Sequence, residues 1–179
     1  MLTTILLLIA GLLALLAIVA ALQPSTFAIK RQALIHAPAA ALFAQVNELE
    51  NWRNWSPWEE VDPALKRTYS GPRGGVGATY SWEGNNKVGT GRMTITDIRP
   101  DEAIWIKLEF FKPMAGLCTA QFTFRPDAAG TEVTWTMTGR NNFLAKLFCL
   151  IISSEKMIGG QFEKGLAKLK ALLEAPVRV

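Results

Sequence analysis

Residues 78–111 read ATYSWEGNNKVGTGRMTITDIRPDEAIWIKLEFF. Tyr80 and Trp82 fall two apart, as do Met93 and Ile95, and then Ile104, Ile106, Leu108 and Phe110. Apolar residues at every second position are the mark of a strand with one buried face. Between the runs stand Gly84-Asn85-Asn86-Lys87 and Arg99-Pro100-Asp101, residue types that favour tight turns. Three strands joined so closely predict an antiparallel meander. The same alternation sends Glu83, Arg92 and Glu109 to the other face, which is polar apart from Trp105 and Phe111.

The pattern extends in both directions. Downstream, CTAQFTF (118–124) stops at Arg125-Pro126-Asp127, and TEVTWTMTG (131–139) follows. Ala120, Phe122 and Phe124 share one face there, as do Val133, Trp135 and Met137. Upstream, LKRTYSG (65–71) runs into the glycine-rich PRGGVG (72–77), and FAIKRQALIHA (27–37) alternates more loosely. The total is about seven strands. PAAALFAQVNEL (38–49) places Leu42, Phe43 and Val46 at helical spacing after a proline suited to a first helical turn. From Ser154 to Glu174, Met157, Ile158, Phe162, Leu166, Leu169, Leu172 and Leu173 recur at threes and fours, which predicts a long amphipathic helix. FLAKLFCLII (143–152) before it reads as a helix dipping toward a membrane or as the buried start of the long helix.

MLTTILLLIAGLLALLAIVAAL (1–22) carries no charged side chain. About 20 helical residues span the ~30 Å of a bilayer's hydrocarbon, so this segment reads as a transmembrane helix or uncleaved signal anchor. Val19-Ala20-Ala21 resembles a cleavage site, but a cleaved signal wants a basic start and none is present. Lys30 and Arg31 follow the run and nothing basic precedes it, which places the rest of the chain in the cytoplasm. QPST (23–26) is the linker, and residues 27–175 form the domain it holds near the membrane.

Composition excludes several functions. The 19 basic and 15 acidic residues are interspersed, for a net charge of +4, so no nucleic-acid partner is expected. Cys118 and Cys149 have no metal or redox spacing and read as buried free thiols. His36 is the one histidine and sits at a strand end, where a hydrogen-bonding role is the simpler reading. GPRGGVG (71–77) lacks the Lys-Ser/Thr of a phosphate loop and reads as a wide hairpin turn. No cofactor and no metal is expected. Trp52, Trp55 and Trp58 fall three apart in NWRNWSPWEEVDP (51–63), where Pro57 argues against one continuous helix. Anchoring of one or two of them to the core is preferred over a ligand rim or a lipid-touching surface.

NWSPWEEVDP (54–63), YSWEGNNKVGTGRM (80–93), LEFFKPM (108–114), VTWTMTG (133–139) and KMIGGQFEKGLAKLK (156–170) together resemble the SRPBCC superfamily of START-like, birch-allergen-like domains. The narrower resemblance is to its bacterial polyketide cyclase/dehydrase and lipid-transport branch. It implies an α+β helix-grip fold, a curved antiparallel sheet wrapped around the long C-terminal helix. It also implies a pocket between them for a lipid or other hydrophobic small molecule. The expected lining is Tyr80, Trp82, Met93 and Ile95, then Ile106, Leu108, Phe110 and Phe122, with Trp135, Met137, Met157 and Phe162. The family's catalytic residues do not carry over, so binding is preferred to catalysis. Should the domain be an enzyme, Tyr80 or a carboxylate inside the pocket is the candidate acid or base. A cyclase/dehydratase and a non-catalytic subunit of a membrane complex are the alternatives.

Overall fold

The computed structural model describes residues 1–141, 143–150 and 154–175. Helix α1 (Leu2–Leu22) leads into strand β1 (Thr26–Ile35), then helix α2 (Ala39–Asn47), a 3-10 helix (Leu49–Asn54) and the single turn α3 (Trp58–Val61). The meander follows as β2 (Lys66–Ser70), β3 (Thr79–Glu83), β4 (Thr90–Arg99), β5 (Ala103–Lys112), β6 (Gly116–Asp127) and β7 (Gly130–Arg140). Helices α4 (Phe143–Cys149) and α5 (Ser154–Glu174) close the chain. All seven strands form one antiparallel sheet in the order β1-β7-β6-β5-β4-β3-β2. The antiparallel meander is as the alternation indicated, and the α+β class is as the resemblance implied.

Register aligns one inner-face row across the whole sheet: Phe27, Gly139, Cys118, Leu108, Met93, Tyr80 and Tyr69. Register shifts in β4 at Thr90/Gly91 and Ile95/Asp97 mark irregularities of the kind that bend a sheet. Glycine meets a close approach at Gly91, where a Cβ would collide with the Trp82 indole and the Glu109 carbonyl.

The sheet has two distinct ends. The start of β1, the end of β7, the β3–β4 turn and the β5–β6 hairpin share the end from which α1 departs. Helix α5 runs along β1 from that end to the other. Near its start, Arg31 reaches from β1 to Glu155 at 2.7 Å and Glu163 at 2.5 Å, passing Gly159, which has no side chain to block it. At its finish, the Glu174 carboxylate accepts the His36 amide N–H at 2.7 Å, and Lys170 donates to the Leu34 carbonyl at 3.0 Å. His36 itself is exposed, with Nδ1 2.6 Å from the Ala129 carbonyl oxygen, a structural contact between two loops.

Phe162, Leu166 and Leu169 of the expected helical stripe are buried, whereas Met157 and Leu172 are exposed. Helix α1 exposes large apolar side chains along its length, from Leu2 and Ile5 to Ile18 and Leu22, and is long and apolar enough to cross a membrane. Helix α4 packs beside it, and Lys146 Nζ donates to the Ala21 carbonyl at 3.4 Å. Ile151 and Ile152, in the apolar stretch after α4, and the side chain of Cys149 lie outside the described residues.

Candidate functional site

The inner face divides into two halves. Away from α1 it is solid. Trp135 stacks on Phe162 of α5 with centroids 3.9 Å apart and planes 7° apart, and on Phe122 at 4.8 Å. Trp52 and Trp55 set their rings edge-on against Phe122 and Trp135 at 5.7–6.0 Å. Pro57 interrupts the segment, so Trp58 lies apart on α3. The Trp52 and Trp55 indoles donate to the carbonyls of Val46 and Gln45, which pins the 3-10 helix to α2 and satisfies two buried N–H groups. Among the described residues, the Trp135 indole N–H has no hydrogen-bond partner. Ile95, Ile104 and Ile106 complete this packing.

Toward α1 the cover thins. Along β5, Ile104 and Ile106 are fully buried, but Leu108 and Phe110 on the same face are only half-buried. Met157, on the first turn of α5, is 51% exposed. Helix α5 runs along β1, and strands β2 to β5 form the far wall of this end of the inner face. The wall they present is aromatic: Tyr69 stacks on Tyr80 at 5.1 Å, Tyr80 leans on Trp82 at 5.9 Å, and Trp82 meets Phe110 edge-on at 5.8 Å. Met93 and Cys118 share the register row of Tyr80, and both are buried.

Thus the twelve expected lining residues separate. Ile95, Ile106, Phe122, Trp135, Met137 and Phe162 belong to the packed half. Tyr80, Trp82, Met93, Leu108, Phe110 and Met157 gather at the α1 end.

A polar group stands at the edge of this wall. Arg67 of β2 donates through Nε to Glu59 of α3 at 3.2 Å and through a terminal nitrogen to the same carboxylate, and to the Leu65 carbonyl at 2.8 Å. The Glu59 hydrogen bond holds Arg67 firmly protonated. Burial raises the Tyr80 phenol well above its ordinary value, helped by the nearby Glu59 charge and opposed by Arg67. Burial likewise raises Tyr69 and the Cys118 thiol. At neutral pH the wall therefore offers a neutral phenol that can donate a hydrogen bond, beside an ion pair whose charges are already matched. Sequence reasoning missed Glu59 and Arg67. Arg67 and Tyr69 are two apart on one strand and pair with Trp82 and Tyr80, so period two puts both on the inner face. Glu59 gave no such signal, because α3 is a single turn.

Glu83, Arg92 and Glu109 lie on the outer face, as their alternation required. Arg92 and Lys107 both bind Glu109, at 2.9 and 3.1 Å. Two open hollows of about 510 and 570 Å³ lie beside the β2–β3 turn and on the outer face, respectively. Among the described residues, no group of three or more His, Cys, Asp or Glu gathers to hold a metal.

Known structures share this architecture. Protein CV1439 of Chromobacterium violaceum superposes with a TM-score of 0.59 at 16% identity, over 85% of this chain and 99% of that one. The Aha1 dimer of Colwellia psychrerythraea gives 0.60 at 17% identity, over 84% and 98%. The di-domain ARO/CYC StfQ from the steffimycin biosynthetic pathway gives 0.61 at 12% identity, over 86% of this chain and 52% of that one. At such identities the likeness is one of fold. None of the curated proteins matches the sequence. The family model for polyketide cyclase / dehydrase and lipid transport matches residues 26–174, from the first strand to the end of α5, and by that match the chain belongs to this family.

Proposed function

We propose that this protein binds a lipid or similar hydrophobic small molecule at the α1 end of the inner face, while α1 anchors it in a membrane. The observation that carries the reading is the burial step along β5. Ile104 and Ile106 are sealed, and Leu108 and Phe110, two and four residues on, are not. A side chain that faces inward yet stays half-exposed marks a place the protein's own packing does not fill. An apolar ligand covering ~400 Å² there would gain ~10 kcal/mol at about 25 cal/mol per Å². Association costs ~4 kcal/mol or more, leaving roughly tens of micromolar affinity, suited to exchange with a bilayer rather than to storage.

The test is extraction of the full-length protein from membranes, followed by mass spectrometry of what co-purifies. A defined apolar species should accompany the wild type and be lost from Phe110→Asp. Equal amounts of bulk membrane lipid in both samples would overturn the reading.

The Glu59–Arg67 pair beside Tyr80 favours a second reading, a cyclase/dehydratase-like activity in which the neutral Tyr80 phenol hydrogen-bonds a substrate carbonyl. The solved di-domain ARO/CYC structures lend this a fold-level analogy only. Turnover of a polyketone substrate that vanishes in Tyr80→Phe, with binding retained, would favour it over simple carriage.

A further inference from the structure

We infer that the α1 end of the sheet is a membrane-docking lip that rests its side chains in an anionic bilayer surface. The inference rests on α1 being a membrane span, as proposed above. Only Gln23–Ser25 separate α1 from β1, so the edge of the sheet lies within ~14 Å of where α1 leaves the membrane. The β5–β6 hairpin is at this same edge. It exposes Phe111, Met114 and Leu117 at 50%, 42% and 61%, and α4 beside α1 exposes Phe143 at 50%. Large exposed apolar groups gathered at one end of a domain mark a contact surface.

The charge at this edge selects the partner. Lys87 in the β3–β4 turn, Lys112 in the hairpin and Arg140 at the end of β7 are exposed, and Lys146 lies on α4. Of the nearby acids, Glu109 is engaged by Arg92 and Lys107, and Glu155 by Arg31, while Glu83 is exposed. Apolar tips framed by basic side chains match a bilayer with anionic headgroups. The lip would then set the mouth of the proposed binding site against the lipid from which a hydrophobic ligand enters.

The test is hydrogen exchange of the full-length protein in proteoliposomes. Phosphatidylcholine vesicles are compared with vesicles that also contain phosphatidylglycerol. On the anionic vesicles, residues 84–88 and 111–117 should exchange more slowly, and high salt should reverse the effect. The β6–β7 turn at the opposite end should not change and serves as the control. Lys87→Glu with Lys112→Glu should abolish the protection, since each basic residue near an anionic surface is worth about fivefold in affinity. Equal exchange on both vesicles, with the protein resisting carbonate extraction, would overturn the lip and leave the anchor standing. Release by carbonate would overturn both. Protection in detergent without lipid would point to a second copy as the occupant and overturn the lip.

Discussion

Tyr69 and Tyr80 are the only tyrosines in the chain, and they stack on the inner wall with planes 17° apart. Burial raises both above the ordinary value. An unfolded tyrosine ionises near pH 10, so between there and the folded value the unfolded state holds fewer protons than the folded one. Stability conferred by these neutral phenols is complete below about pH 10 and declines as pH rises through the folded values. Ultraviolet titration of the full-length protein in detergent should show less than half of the tyrosine ionised at pH 10, and a rise in tyrosinate on denaturation. Half-ionisation of the folded protein at pH 10 would show both rings to be solvated. A second prediction concerns Trp55, which is fully buried between Trp52, Phe122 and Trp135. Trp55→Ala should cost about 3–5 kcal/mol in denaturant unfolding, as large aromatic truncations in packed cores do. A loss below about 1 kcal/mol would mean that the solid half of the inner face is loosely filled.

Helix α5 shows how an element is held by different means along its length. From Phe162 onward it is gripped by packing, with Phe162 stacked on Trp135 and Leu166 and Leu169 buried. Its first turns are tied by Arg31, which threads between Glu155 and Glu163 across Gly159. Gly159→Leu should push the guanidinium aside. Amide exchange should then quicken over residues 155–160, while the second half of α5 and the unfolding midpoint barely move. Loss of protection along the whole helix would contradict this division. The helix itself was legible in the sequence, because its apolar stripe repeats at 3.6 over 21 residues and its bounds match the structure. The strands were equally plain, since period two leaves few other readings. The grip was not legible. Nothing local couples Arg31 to residues more than a hundred positions away, and Gly159 reads as a helix weakener until its neighbour is known. The inward-facing candidates were correctly grouped by face, but alternation is blind to position along a strand. It could not separate Ile106, sealed under aromatic rings, from Leu108, two residues nearer α1.

At the scale of the whole molecule, topology ties the proposed anchor and the proposed binding site together. Strand β1 begins where α1 ends, so connectivity fixes which edge of the sheet lies beside α1, and that edge is where the inner face is least covered. The proposed cytoplasmic orientation rests on charge. Lys30 is exposed near the start of β1, and Lys87, Lys112, Arg140 and Lys146 cluster at the same edge. The folded domain thus brings together more positive charge beside the span than its immediate flank displays, and positive flanks are retained on the cytoplasmic side. A C-terminal fluorescent-protein fusion in a bacterial host should therefore glow, and an alkaline phosphatase fusion at the same position should be inactive. Placing three lysines before Leu2 while replacing Lys30 and Lys112 with glutamine should invert part of the population. The phosphatase fusion would then gain activity in proportion. An active phosphatase fusion on the wild-type chain would put the domain, and the membrane-facing edge with it, on the opposite side of the bilayer.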